Sequence, residues 1–364
     1  MTLRFALLLT IGPGVTHALW RSWFGTPAPT TVAVDHQCSS PHYSASALEL
    51  EWFPTPPETI VGSLCKLAYK QARRRRREIQ AWLSYAPASV GRQRRTPNSR
   101  EKAVLSRLTC GDGRHEYLEP LTGMARHPLA DVNCEPPRAI HHPNFTENLF
   151  DIRHLILQNK CKRPTEGATM LPHGAQSAQN LFYDLGASNY SGSFDLDTGF
   201  GMGPSVPLFM ELYKRNCIVF DHIWAWEYTA FDPRQYWSAV PADARGKLHF
   251  MNIPVPVEPH PNGFLSLLRA TAKPQDFVAV KVDVDDSRVE ESVVWAIAHD
   301  QYLASLVDEL FFEYHFFGEP RFILGWGIRN NPAFPQSWTN ATVATALDLM
   351  RKLRERGIRG HFWI

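Results

Sequence analysis

Three short apolar runs in the second half of the chain each end in a carboxylate, at Asp184, Glu227 and Asp283, and Asp285 follows two residues after the last of them. Apolar runs of this length are typical of buried strands. In a sheet of parallel strands, ligands bind beyond the carboxyl ends of the strands. These side chains are therefore candidates to hold a ligand or to exchange protons with it.

Glycine residues cluster between the first two of these carboxylates. Asp184-Leu-Gly186-Ala187-Ser188 leaves the first run, and Gly199-Phe-Gly201-Met-Gly203 precedes an amphipathic stretch that begins at Ser205. Glycine lets a backbone turn tightly and approach a ligand closely. Glu227, about 24 residues after Gly203, stands where a carboxylate can accept hydrogen bonds from ribose hydroxyls. The pattern predicts a nucleoside-containing cofactor, with contact residues Asp184, Gly186, Ala187, Gly199, Gly201, Gly203 and Glu227.

The loop between Ser188 and Gly199 is longer than a compact dinucleotide turn and contains Asp195 and Asp197. A pyrophosphate binds a short glycine turn at a helix N-terminus, and acidic side chains would repel it. We therefore expect a cofactor that has no phosphates and carries an amino-acid part. S-adenosylmethionine meets this description better than a nicotinamide dinucleotide does.

The second half of the chain alternates short apolar runs with amphipathic stretches. This alternation predicts an α/β domain, a Rossmann-like and mostly parallel sheet with helices on both faces, preceded by an irregular N-terminal region. The predicted strands are 181–184, 223–227, 247–255, 277–282, 309–315 and 361–364, and the predicted helices are 205–216, 264–272, 289–299, 302–307 and 344–355.

The first 18 residues have the features of a secretory signal peptide. Arg4 precedes the apolar stretch 5–11, Gly12-Pro13-Gly14 breaks a helix, and small residues follow at Thr16 and Ala18. An uncleaved signal anchor and an organelle-targeting leader are the alternatives. We expect the secretory pathway or the extracellular space as the location, and association with a membrane only through this segment.

Residues 19–104 are rich in Pro, Arg, Ser and Thr and are predicted to be a linker or a loosely ordered region. The five arginines 73–77 favour a solvated basic segment, with a nuclear signal, a phosphate-binding patch and a processing site as alternatives. Residues 105–180 are predicted to be a cap or irregular covering structure, and residues 181–364 to be the Rossmann-like domain.

Charge and cysteine spacing narrow the function classes. A net charge of +2 gives no global reason to expect a nucleic-acid partner. None of the six cysteines forms a CxxC pair, so no metal site is predicted. An exported chain can form disulfides. Cys217, which begins a predicted buried strand, is predicted to be a free core thiol.

Four motifs together resemble the FkbM-type branch of the S-adenosylmethionine-dependent methyltransferases. The family's D-x-G-A-N resembles Asp184-Leu-Gly186-Ala187-Ser188, and its A-F-E-P resembles Ala225-Trp226-Glu227-Tyr228. Its K-I-D-x-E-G is similar to Lys281-Val-Asp283-Val-Asp285-Asp286, and its E-x-H is similar to Glu313-Tyr-His315. The resemblance covers residues 180–316, and the first 180 residues match no family that we can name.

The resemblance implies that Asp184, Gly186 and Glu227 contact S-adenosylmethionine and that Asp283 lies near the methyl-transfer site. The implied activity is O-methylation of a glycan or a small metabolite. Departures from the family pattern are the insertion 189–198, Asp285 in place of Glu and Asp286 in place of Gly. A hydroxyl acceptor is expected to have a base nearby. The candidates for this catalytic base are Asp283, Asp285 and His315, and Glu313 also lies at a strand end.

Two other functions remain open. Asp283-Val-Asp285 is also the D-x-D pattern of glycosyltransferases, in which carboxylates hold a divalent cation and a sugar diphosphate. The Asp in place of Gly at position 286 motivates a non-catalytic, methyltransferase-like binding module.

Overall fold

The computed structural model describes residues 38, 40–52, 73–91, 95–121, 151–161, 178–197, 203–314 and 343–363. All of these belong to one compact unit, residues 36–364. The predicted leader, together with Gly199, Gly201 and His315, lies outside the described residues. Within the described residues, no helix combines the length and the apolar character needed to cross a membrane.

The described residues between 40 and 118 form a small antiparallel sheet and three α-helices. The sheet has the order β1-β2-β3. The elements are β1 (His42–Ser44), α1 (Ala47–Trp52), α2 (Arg76–Tyr85), α3 (Ser99–Val104), β2 (Ser106–Thr109) and β3 (His115–Leu118).

The second half forms a sheet of six parallel strands, which confirms the predicted fold class. The strands are β4 (Asn180–Leu185), β5 (His222–Trp226), β6 (Leu248–Met251), β7 (Phe277–Val282), β8 (Glu309–Phe312) and β9 (Arg359–Phe362). The helices are α4 (Ser205–Arg215), α5 (Pro233–Ala239), α6 (Ala242–Arg245), α7 (Phe264–Thr271), α8 (Ser287–His299), α9 (Gln301–Ala304) and α10 (Val343–Glu355).

The strand order is β6-β5-β4-β7-β8-β9. The chain therefore runs outward from β4 in one direction and, after returning to β7, outward in the other. The point between β4 and β7 is the topological switch point, where doubly wound folds bind ligands at the carboxyl ends of the strands. In register, Asp184 lies beside Ala225 of β5 and Lys281 of β7.

Apolar side chains cover both faces of the sheet. On one face Phe182 stacks on Phe209 of α4, with ring centroids 4.8 Å apart. On the other face Tyr183 stacks on Trp224 at 4.8 Å. All six residues of β7 are buried, as expected of a central parallel strand covered on both sides.

The described part of the predicted linker, residues 40–52, 73–91 and 95–104, is packed structure instead. Ile79 and Trp82 of α2 are completely buried and belong to the same apolar cluster as β4, β7 and β8. The prediction was wrong here because it gave the Pro-, Arg- and Ser-rich composition more weight than Ile79 and Trp82, which lie at helical spacing. The arginines themselves lie outside that face: four of the five, Arg73, Arg74, Arg76 and Arg77, are exposed.

A buried polar network joins the N-terminal region to the end of the large sheet. His361 of β9 lies with Nδ1 2.7 Å from Glu119 and Nε2 2.8 Å from Glu309 of β8. Arg354 of α10 donates to both the side chain and the backbone carbonyl of Glu119, at 2.9 and 2.7 Å. Burial opposes ionisation of Glu119, but the charges of His361 and Arg354 hold its pKa at about 2.

Two disulfides are present among the described residues, Cys38–Cys110 and Cys161–Cys217. The prediction that Cys217 is a free thiol was therefore wrong. Cys217 lies in the turn after α4, with φ +60, and not inside a strand. Its Cα is 5.0 Å from that of Cys161, so the bridge ties the segment 151–161 to this turn.

We expect Glu119→Gln to lower the free energy of unfolding by roughly 3–5 kcal/mol at pH 6, because it leaves Arg354 without its buried charge partner. The folded-state pKa of Glu119 is depressed, so its contribution is present above pH 4.5 and is lost as the pH falls towards 2. Urea denaturation between pH 2 and 6 measures both effects. Asp348→Asn, in an exposed pair with Lys352, is the control and costs about 0–1 kcal/mol. An equal loss in both variants contradicts a structural role for the network.

Candidate functional site

A cavity of 720 Å³ opens at the carboxyl ends of β4, β5 and β7. Its lining includes Gly186, Glu227, Phe231, Val255, Asp283 and Asp285. The cavity lies at the topological switch point of the sheet, where the fold is expected to bind a ligand. The loop after β4, the carboxylate of Glu227 after β5 and the aspartates after β7 thus line one cavity, as the sequence predicts.

Backbone hydrogen bonds fix the loop after β4 against the end of β5. The amides of Gly186 and Ala187 both donate to the carbonyl of Trp226, at 3.0 and 2.8 Å. The amide of Ser188 donates to Oε2 of Glu227 at 2.8 Å, and that of Thr229 donates to Oε1 at 2.6 Å. Each carboxylate oxygen is therefore oriented by one amide and keeps further acceptor capacity for a ligand.

Glycine is required at position 186. Its φ is +91, and a Cβ at this position would lie 1.6 Å from the carbonyl oxygen of Asp283. The absence of a side chain thus allows the loops after β4 and β7 to touch at the floor of the cavity. This close approach is a physical reason for a glycine two residues after Asp184.

The ammonium group of Lys281 contacts both the loop after β4 and the loop after β7. The side chain is only 2% exposed, and Nζ donates to the Gly186 carbonyl at 2.9 Å. Nζ also lies 2.9 Å from Oδ2 of Asp283 and 3.3 Å from Oδ1 of Asp184. Burial alone would lower the pKa of Lys281, but Asp283 and Asp184 raise it above its usual value. The buried charge is therefore kept by its carboxylate partners.

Asp184 is completely buried. Its Oδ2 accepts a 2.5 Å hydrogen bond from the Ser205 hydroxyl, which also donates to the Ala187 carbonyl at 3.1 Å. Burial raises the pKa of Asp184, while Lys281 and Ser205 act in the opposite direction. In this structure Asp184 contributes by holding the loop and the start of α4 together rather than by facing the cavity.

Asp283 lines the cavity and lies beside Glu313, a carboxylate that the sequence analysis also places at a strand end. Its side chain forms a hydrogen bond with that of Glu313, which follows the adjacent strand β8. Burial first, and then the negative charge of Glu313, raise the pKa of Asp283 well above its usual value, against the opposite effect of Lys281. The signal in the sequence is the position of Glu313 at a strand end.

Asp285 and Asp286 occupy the turn between β7 and α8. Asp285 is exposed, lines the cavity and has φ +57. Asp286 is the N-cap of α8 and accepts a 3.0 Å hydrogen bond from the amide of Arg288. Since β7 ends at Val282, Asp283 and Asp285 lie in a turn and do not share one strand face.

Apolar and aromatic side chains form the remaining wall. Trp226, Phe231 and Val255 line the cavity, and Tyr228 at its rim is 80% exposed. This wall provides a surface on which a planar ring can stack, next to the oriented carboxylate of Glu227.

The other predicted contact residues lie elsewhere. Ala187 is buried under the loop, and Gly203 approaches Ser193, whose carbonyl oxygen would lie 2.9 Å from an added Cβ. Gly199, Gly201 and His315 remain predictions because they lie outside the described residues.

Comparisons with protein-family models, with curated proteins and with solved structures found no match to this chain.

We expect Gly186→Ala to lower the free energy of unfolding by roughly 3 kcal/mol or more, because the left-handed backbone is strained and the methyl group overlaps with Asp283. Two glycines provide matched controls. Gly113 has φ +82 with no atom within 4 Å, so Gly113→Ala measures the strain alone, about 1–2 kcal/mol. Gly246 has φ −73 and open space, so Gly246→Ala is neutral or slightly stabilising. Denaturant unfolding that gives equal losses for positions 186 and 113 contradicts the close approach.

Proposed function

We propose that the chain is an S-adenosylmethionine-dependent methyltransferase whose cofactor occupies the 720 Å³ cavity at the carboxyl ends of β4, β5 and β7. The observation that carries this proposal is the carboxylate of Glu227, held by the amides of Ser188 and Thr229 beside Gly186. It supports the proposal because two oriented acceptor oxygens lie at the end of the second strand, where such folds bind the hydroxyls of a ribose.

The charge of the cavity favours this cofactor over a dinucleotide. Glu227, Asp283, Asp285 and Asp286 all line it, and the described lining contains no Lys or Arg side chain. A carboxylate-lined cavity attracts the sulfonium and ammonium groups of S-adenosylmethionine. It repels a pyrophosphate, although the strand order is the same as that of dinucleotide-binding folds.

The chemistry that the cofactor supplies is an electrophilic methyl group on a positively charged sulfur. The residues of the chain need only bring an acceptor close and in line with it. Asp283 can accept a hydrogen bond from an acceptor hydroxyl, which orients a lone pair of that oxygen towards the methyl group. The proposed acceptor is a hydroxyl of a glycan or a small metabolite, and the proposed location is the secretory pathway.

The glycosyltransferase alternative requires Asp283 and Asp285 to bind a divalent cation. Asp283 is already bonded to the buried ammonium of Lys281 and to Glu313, so it is a poor ligand for a second cation. The non-catalytic alternative is motivated by Asp286 in place of glycine. Asp286 has φ −134 and caps α8, so this replacement is compatible with an intact loop.

We expect calorimetric titration of the full chain to show micromolar binding of S-adenosylmethionine. Glu227→Gln removes the charge that attracts the ribose hydroxyls and should weaken binding at least tenfold. Asp243→Asn, an exposed carboxylate of α6, is the control and should leave the affinity unchanged.

Two parallel titrations test the alternatives. One uses NAD, and the other uses manganese together with a sugar nucleotide. If the folded chain binds either of these and not S-adenosylmethionine, the proposal is wrong.

A further inference from the structure

We propose that Asp283 and Glu313 form a carboxyl pair that gives up a proton when the cationic cofactor binds and takes the proton of the acceptor hydroxyl as the sulfonium charge disappears. Asp283 is the catalytic residue of this pair, and Glu313 is a positioning residue that acts through it. The inference rests on the proposed function and adds to it the group that receives the proton.

The two side chains meet because their strands are neighbours. The amide of Glu313 donates to the carbonyl of Val282 at 3.1 Å, which places the residue after β8 beside Asp283. Two carboxyl groups can hydrogen-bond to each other only when one of them carries a proton. Because the backbone bond between Glu313 and Val282 sets two carboxyl groups side by side, where each opposes the ionisation of the other, we infer that the pair shares one proton.

Only one member of the pair is accessible from the cavity. The side chain of Asp283 is 21% exposed and lines the cavity, whereas Glu313 is 1% exposed. A proton that enters or leaves the pair from the cavity must therefore pass through Asp283. Glu313 sets how strongly that proton is held.

The surrounding charges make the pair sensitive to a cation. Asp283 contacts the ammonium group of Lys281 of β7, and Asp184 of β4 contacts the same ammonium group. When the pair holds one proton, it carries one negative charge. Lys281 contributes one positive charge and Asp184 one negative charge, so the sum over these groups is negative. The pair therefore lies in a negative environment, which holds the proton when no ligand charge is near.

Among the described residues, the charged groups further out are carboxylates and one exposed cation. Glu227 follows β5, Asp285 and Asp286 follow β7, and Glu290 of α8 accepts the amide of Val284 at 3.0 Å. Arg288 is the exposed cation, and it is paired with Asp286 at 2.7 Å. None of these brings an uncompensated positive charge to the pair, so a bound sulfonium supplies it.

The methyl-transfer step is then balanced in atoms and in charge. A lone pair of the acceptor oxygen forms the bond to the methyl carbon. The carbon–sulfur bond breaks, and its electron pair stays on sulfur as a neutral thioether. The acceptor proton passes to Asp283. The sulfur loses one positive charge and the carboxyl pair gains one proton, so the total charge of the site is unchanged. Loss of the sulfonium charge strengthens the affinity of the pair for that proton in the same step.

The experiment compares S-adenosylmethionine with S-adenosylhomocysteine, which lacks the methyl group and the positive charge. Calorimetric titrations of the full chain at pH 7 in phosphate, HEPES and Tris give the number of protons released by each ligand. We expect more protons to be released by S-adenosylmethionine than by S-adenosylhomocysteine. The sulfonium charge lowers the pKa of the amino group in S-adenosylmethionine, so each free ligand is titrated separately and the contribution of its amino group is subtracted. The affinity for S-adenosylmethionine, relative to the product, should rise with pH by up to about tenfold per unit.

Glu313→Gln keeps a hydrogen-bond donor to Asp283 and removes the shared proton, so the difference in proton release should vanish while S-adenosylmethionine still binds. Asp308→Asn is the matched control. Asp308 is a buried carboxyl at the other end of β8, and burial raises its pKa to about 8, so this variant should keep the difference. If Glu313→Gln fails to fold, the infrared band of a protonated carboxyl in the wild-type chain, which should diminish on addition of S-adenosylmethionine only, provides the same test.

The outcomes separate the two proposals. If S-adenosylmethionine does not bind at all, the proposed function is wrong. If it binds and the two ligands release equal numbers of protons, or if the difference persists in Glu313→Gln, the carboxyl pair does not take part and only this inference is overturned.

Discussion

The buried ammonium group of Lys281 is the interaction on which the site depends. One Nζ contacts the Gly186 carbonyl, Asp283 and Asp184 within 3.3 Å. It thereby ties together the two loops that form the floor of the cavity, on either side of the switch point. A buried charge of this kind is stable only because both carboxylates compensate it. The same charge limits what Asp283 can do, since a carboxylate engaged with Lys281 and Glu313 is better suited to exchange a proton than to bind a metal ion.

Among the described residues, none from the N-terminal region lines the cavity. The N-terminal helices add Ile79 and Trp82 to the main core, and the network of Glu119, His361 and Glu309 fixes the N-terminal region to the last two strands. The polar network lies at β8 and β9, and the apolar contacts are with the core cluster that covers one face of the sheet. The cavity forms instead around the central strand β4, where the backbone amides of the loop are already hydrogen-bonded to Trp226 and Glu227.

The sequence predicts the parallel sheet well because its strands are apolar runs bounded by turns, and a run that is buried on both faces is recognisable locally. It also predicts that Glu227 and Asp283 meet, since both follow strands of one sheet. Other features depend on contacts between distant residues and have no local signal. Glu119 and His361 are 242 positions apart, and the pairing of Cys161 with Cys217 was hidden by the apolar residues after Cys217. Ile79 and Trp82 of α2 have helical spacing in the sequence, but the strands they pack with are about 100 or more positions away and have no local signal.

We infer that Lys281 shapes the proposed cofactor site, and titration of S-adenosylmethionine into the folded Lys281→Met variant tests this most directly. The substitution keeps the length of the side chain and removes the charge. Lys247→Met is the control, because that amine only donates to the Phe220 carbonyl. We predict that affinity falls at least tenfold in Lys281→Met and is unchanged in Lys247→Met. Wild-type affinity in a folded Lys281→Met protein would contradict the account.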